Sequence, residues 1–413
     1  MQMAMAVGEC TGEDADLLRR AMGSKRGLEK ISSLRTKLYE GMASNGLTGD
    51  VADEIYGRIQ AFANFGFAES HSLSFSLLVY ASSWLKLHYP GVFLAGLLRA
   101  QPMGFYSPAT LSADARRHGV EVRRPDLQLS GVEAGMEAIV DAERGATGLS
   151  SCTDRIQAPV GPFDRSEPDV SSEHRRDGNW AVRLGLAAVN RIGTKVAERI
   201  VAERDASGPY HSMEDLVRRT SLTTAQLESL ATAGAFDCFE LSRREALWRA
   251  GSAAQDREEF LADSIVTVQP PLFADPSAFE TLASDLWATG ISTDDHPLAH
   301  FRERLLERGA LSSRDMRTAE SGRRIEVAGL VTHRQRPATA SGITFLNLED
   351  EHGLINVICS MGVWTRHRRV VRDSHALIVR GMLERSPEGV TNLLADGFED
   401  LQVGVRHASR DFH

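Results

Sequence analysis

The stretch LGLAAVNRIGTKVAERIVAER, Leu184 to Arg204, sets out a short helix, the turn Arg191-Ile192-Gly193 and a second helix with Val196, Ile200 and Val201. That spacing is a helix-hairpin-helix. Gly193 permits a tight turn, and the first amides of the following helix point outward, where a phosphate can accept their hydrogen bonds. Arg191 and Lys195, flanking Gly193 and Thr194, add charge beside those donors. The pattern fits phosphate binding; an ordinary helical hairpin with a glycine connector is the alternative. Downstream, SMEDLVRRTSLTTAQLESLATAGAF (212–236) reads as a degenerate second copy that packs rather than binds, giving a tandem domain over 181–250.

Toward the carboxyl terminus the pattern changes to strands. RIEVAGLVTHR, GITFLNLED, GLINVICS, ALIVRGMLE and GVTNLLADGFEDL are five candidates, with DEHG as a turn and GVWTRHRRVVRD as a helix after the third. That order is an OB barrel, placed over 319–404 with a tail at 405–413. Such barrels bind single strands through a basic groove and stacking aromatics. Arg334 and Arg336 close the first strand, and Arg366, Arg368 and Arg369 lie on the helix; a solvated face is the alternative. Phe345 and Trp364 serve either as stacking platforms or as core.

Toward the amino terminus, residues 11–126 read as mostly helical. Thr11 is the N-cap of a helix ending near Gly23, and Asp14 and Asp16 complement its first turn rather than bind metal. Leu73, Leu77, Tyr80, Trp84 and Leu87 keep helical spacing up to Pro90, a stripe expected to pack as core. Residues 131–180 carry little periodicity and are expected to form an irregular linker or insertion. A second loose stretch with short helices covers 251–318 and contains QPPLF, whose apolar Leu272 and Phe273 suggest a partner or a neighbouring domain that covers them.

The 413 residues carry a net charge of −9, which argues against nucleic acid until its distribution is considered. From Asp16 to Glu40 there are seven Lys/Arg against three Asp/Glu, and phosphates respond to a nearby patch within roughly 10 Å. Four scattered cysteines, without a C-x-x-C pair, argue against a disulfide framework or zinc site and for a reducing cytoplasm. Neither a signal peptide nor a membrane span is supported. No GxxxxGK[ST], HExxH or GxSxG motif is present, so no catalytic centre and no metal site is assigned.

LLRRAMGSKR, FANFGFAESHSLSFSLLVYASSWLKLHYPGVFLAGLLRAQPMGFYSP, GLAAVNRIG, LATAGAFDCFELSRREALW and GLVTHRQRPATASGITFLNLEDEHGLINVICS together resemble the carboxyl-terminal part of bacterial C-family DNA polymerases, relatives of the polymerase III alpha subunit. Gly23-Ser24-Lys25-Arg26, Glu69 before Ser70-His71, and the closing SRDFH resemble the error-prone branch. The resemblance implies an α+β multidomain chain: a helical fingers segment (1–130), the tandem helix-hairpin-helix domain and the OB-fold β-barrel. It implies that Arg19, Arg20, Lys25 and Arg26, with Ser70 and His71, face the triphosphate of an incoming deoxynucleotide. It implies that Gln269, Leu272 and Phe273 form a sliding-clamp motif, and that the barrel holds single-stranded template. The two Mg²⁺ ions of polymerisation would belong to palm aspartates upstream, together with a PHP domain; this chain alone is expected to bind none and to be inactive. DNA, deoxynucleoside triphosphates, the clamp, the amino-terminal part and mutagenesis accessory proteins are the implied partners, in damage-induced translesion synthesis and repair. A non-catalytic DNA- or clamp-binding adaptor is the alternative.

Overall fold

A computed structural model describes residues 2–21, 27–64, 69–104, 106–139, 174–255, 276–337, 340, 342–386, 389–404 and 409–412. Five helices open the chain: α1 (Gln2–Gly8), α2 (Gly12–Ala21), α3 (Gly27–Ser33), α4 (Arg35–Ser44) and α5 (Asp50–Asn64). The α2 start follows its sequence. Thr11 Oγ1 accepts from the Asp14 N–H (3.3 Å) while the Asp14 carboxylate accepts from the Thr11 N–H (2.7 Å), a reciprocal cap. Leu18, Ile31, Leu38 and Met42 form the core of this bundle.

The next helix, α6 (Glu69–His88), departs from expectation. Its stripe is not core: Leu77 is 72% and Tyr80 78% exposed, and Leu73, Phe75, Leu78, Val79 and Trp84 are exposed too. The spacing correctly announces a helix with apolar faces. Nothing among the described residues covers them. A helix apolar on most sides is ordinarily enclosed.

Helices α7 (Pro90–Arg99) and α8 (Pro108–Arg117) pack beside a three-stranded sheet of β1 (Val122–Arg123), β2 (Gly135–Ala138) and β3 (Trp180–Arg183), in the order β1-β3-β2. The two ends of the stretch expected to be irregular are therefore ordered where described. Asp177 fixes one end: its carboxylate accepts from the Gly91 N–H (2.7 Å) and Val92 N–H (3.2 Å) at the start of α7, and pairs with Arg175.

A 3₁₀ turn (Leu186–Ala188) leads into α9 (Gly193–Ser207), α10 (Met213–Thr220), α11 (Thr224–Thr232) and α12 (Arg243–Ala253), and α13 (Ala278–Thr289) packs against them. Ile192, Ile200, Leu216, Leu227 and Leu230 are buried in one core, which fits the packing role expected of the second copy. Asp285, buried on α13, accepts from Arg243 Nη2 (2.5 Å) and Arg124 Nη2 (3.2 Å), tying three segments together.

After α14 (Arg302–Glu307), β4 (Ala310–Leu311) and α15 (Ser313–Thr318) come the five barrel strands: β5 (Arg324–Gln335), β6 (Thr344–Asp350), β7 (Gly353–Cys359), β8 (Ala376–Arg385) and β9 (Thr391–Asp400), with α16 (Met361–Asp373) after the third. The strands close in the order β5-β6-β7-β9-β8 because β5 pairs with both β6 and β8. Closure demands a tight crossing at Gly381, where a Cβ would lie 2.2 Å from the Leu394 carbonyl oxygen and where the β8–β9 register shifts. The DEHG turn is held by buried Asp350, which accepts from the backbone of Ser313, His352 and Gly353. Part of the tail forms a tenth strand: β10 (Arg410–Phe412) runs parallel to the end of β5.

Candidate nucleic-acid interface

The hairpin brings Arg191, Gly193, Thr194 and Lys195 together on one exposed tip. Ile192 between them is 4% exposed and anchors the turn in the core. Two left-handed residues flank Ile192 and shape the turn, with φ of 64° at Arg191 and 63° at Gly193. Only glycine takes that conformation readily; Arg191 takes it between two anchored neighbours, Asn190, whose N–H donates to the Ala288 carbonyl, and buried Ile192.

Helix α9 starts without a side-chain cap: its N-cap is Ile192, and among the described residues no side chain bonds to the first amides. Neighbouring helices differ. Ser212, Thr223, Ser242 and Ser277 each accept a first-turn amide. The α9 amides, left outward at the positive end of a 15-residue helix, can bond an anion. Among the described residues neither Arg191 nor Lys195 forms an ion pair, so both charges add to that field. Trp287, which the sequence reading did not single out, lies under the Arg191 guanidinium with its ring centroid 5.6 Å away.

The amino-terminal cations are arranged differently. Arg19 and Arg20 both donate to Asp16, at 2.9 Å and 2.6 Å through their Nε atoms, and hold its carboxyl below the usual carboxylate range. One acid therefore offsets half their charge. Ser70 and His71 are exposed in the first turn of α6, and the His71 ring rests against Phe75. Lys25 and Arg26 lie outside the described residues, as do Gln269, Leu272 and Phe273.

On the barrel the two arginines separate. Arg336 is exposed, with its guanidinium 5.5 Å from the half-buried Trp364 ring. Arg334 is only 8% exposed, and its nitrogens donate to the Val371 and Ser374 carbonyls and to Ser409 Oγ. The sequence alone puts Arg334 on a DNA-facing surface; in the fold it caps the end of α16 beneath the tail. Phe345 and the α16 arginines Arg366, Arg368 and Arg369 are exposed, so the basic surface runs from Arg336 along the helix.

Covalent chemistry finds little support in the described thiols. Burial pushes Cys238 and Cys359 up to about 11 and raises Cys10 as well, which disfavours thiolates.

Comparison with known proteins supplies the decisive observation. Residues 1–46 match the bacterial DNA polymerase III alpha subunit finger domain, and residues 119–246 match the helix-hairpin-helix motif family. An error-prone DNA polymerase from Cutibacterium acnes is 55% identical over all of this chain and 37% of its own length. Along its whole length the chain is similar to an error-prone DNA polymerase, and its first 46 residues match the polymerase III alpha-subunit family. Error-prone DNA polymerases of Nocardia farcinica (47% identical) and Mycobacterium tuberculosis H37Rv (44%) also match it end to end, over 33% and 34% of their lengths. The chain thus spans about a third of the length of these relatives. Among solved structures, an asparaginyl-tRNA synthetase from Pyrococcus horikoshii aligns over 22% of each chain at 17% identity with a TM-score of 0.20; that likeness carries no argument. The hairpin tip and the caps at Ser212, Thr223 and Ser242 fall inside the matched motif, whereas the Ser277 cap and Trp287 fall outside it.

Proposed function

We propose that this chain is the DNA-gripping portion of an error-prone DNA-directed DNA polymerase acting in damage-induced translesion synthesis and repair. The observation that carries the reading is the hairpin: α9 amides without a side-chain cap, flanked by two cations that have no acidic partner among the described residues. Such a tip binds the sugar-phosphate backbone, and its contacts carry no base information. The exposed Arg336–Trp364 pair and the α16 arginines offer a second surface, suited to single-stranded template through charge and stacking.

Arg19, Arg20, Lys25 and Arg26, with Ser70 and His71, are the proposed contacts to an incoming deoxynucleoside triphosphate. Gln269, Leu272 and Phe273 are the proposed sliding-clamp contact, and mutagenesis accessory proteins are proposed further partners. Polymerisation in this family depends on Mg²⁺. Among the described residues no group of three or more His, Cys, Asp or Glu side chains is placed to hold a metal ion. No step through that ion is assigned to the described residues. The reading places the ions on an amino-terminal PHP/palm part of the longer polymerase. The apolar sides of α6 support this, since they suit enclosure by a larger body.

Two measurements test the proposal. Fluorescence anisotropy with two duplexes of unrelated sequence should give affinities equal within a few-fold; strong preference for one duplex contradicts a backbone grip. Primer extension with the purified chain, Mg²⁺ and four deoxynucleotides should give no product, and template-dependent incorporation overturns the division of labour.

A further inference from the structure

We propose that Trp287 is a positioning residue of the hairpin: its indole face holds the Arg191 guanidinium at the phosphate-binding tip. The proposal rests on the reading of that tip as a phosphate grip and extends it to a helix beyond the matched motif, which ends at residue 246. Three observations converge on the pair.

First, the guanidinium lies 5.6 Å from the indole centroid, inside the roughly 6 Å range over which a cation is attracted to a π face. Second, the backbone is locked in register with α13: the Asn190 N–H donates to the Ala288 carbonyl at 2.7 Å, one residue past Trp287. The hairpin and the last turn of α13 are thus joined once through backbone and once through side chains. Third, Arg191 holds a left-handed backbone conformation, φ 64°, which L residues with side chains seldom adopt. That backbone sets the direction in which the Arg191 side chain leaves the hairpin.

The chemistry explains why an aromatic ring suits this post. A carboxylate could also orient Arg191, as Asp16 orients Arg19 and Arg20, but it would cancel the charge. A π face attracts the cation through its quadrupole and leaves the positive field available to an anion. It also restricts a long, rotamer-rich side chain before DNA arrives, so less freedom is lost on binding. Trp287 is 46% exposed, leaving its platform open at the surface where the DNA would lie.

The test uses the full chain and a labelled DNA duplex at fixed salt, comparing wild type with Trp287→Ala, Trp287→Leu, Trp287→Phe, Arg191→Ala and the Trp287→Ala/Arg191→Ala pair. Trp287→Ala and Trp287→Leu should weaken binding about two- to fivefold, the size of an exposed cation–π contact. Trp287→Phe should retain most of the affinity. In the Arg191→Ala background, Trp287→Ala should cause no further loss. A full additional loss there, or wild-type binding by Trp287→Leu, overturns the positioning role. If Trp287→Ala fails to fold, the contrast between Leu and Phe decides alone. Arg191→Ala binding like wild type would remove the phosphate-grip reading itself, whereas a weakened Arg191→Ala beside unaffected Trp287 variants would remove only the platform.

Discussion

Gly381 shows how one atom governs a barrel. A Cβ there would sit 2.2 Å from the Leu394 carbonyl oxygen, and that oxygen belongs to a paired strand that cannot swing aside. Gly381→Ala should destabilise the barrel by about 1–3 kcal/mol, seen as a lower thermal midpoint for the transition that carries the barrel. Glu349 supplies a pH-dependent counterpart. Its carboxyl accepts from Thr110 Oγ1 (2.9 Å) and faces Arg117, but burial pushes its pKa up. The folded state therefore holds this proton more tightly than the unfolded chain, and the stabilising contribution is present at low pH and lost as pH rises through the raised value. Glu349→Gln should keep the Thr110 contact, match or exceed wild-type stability at pH 7, and flatten that part of the pH profile. A large loss of stability at pH 7 would mean that the charge itself is needed. Arg334 shows what sequence reading missed at this scale. The run Ile325–Arg334 is buried almost continuously, so its arginine was better read as a buried capping group than as a groove cation. Arg336, just past the strand end, is the exposed one.

Helix α6 separates what periodicity tells from what it does not. Spacing of 3.6 residues establishes that apolar side chains share faces, but it names no occupant for them. Leu77→Ser and Tyr80→Ser should each change stability by less than about 0.5 kcal/mol, as for other exposed positions, and should reduce binding of a hydrophobic dye. A loss of 2–5 kcal/mol, typical of truncating a packed Leu, would show that the helix is enclosed after all. The barrel was more legible because alternation, turn residues and the helix after the third strand all pointed to one topology. Short strands were not: β3 is four residues and β10 three, and each exists only because a distant partner is in place. The hairpin was legible in its glycine and cations. Its platform was not, since α13 reaches it from nearly a hundred residues downstream and no local pattern links Trp287 to Arg191.

At the scale of the whole molecule, a chain of net charge −9 is asked to hold a polyanion. It can do so because charge acts locally: Arg191 and Lys195 lack acidic partners among the described residues, while Arg19 and Arg20 are half-neutralised by Asp16. The account therefore assigns duplex binding chiefly to the hairpin. Each phosphate contact releases condensed counterions, so log K should fall linearly with log salt, by about 0.9 for each duplex phosphate neutralised. The most direct test is that slope, measured from about 50 to 200 mM salt for wild type and for the Arg191→Ala/Lys195→Ala variant. The account predicts weaker binding and a slope shallower by roughly 2 in the variant; an unchanged slope, with unchanged affinity, would contradict it.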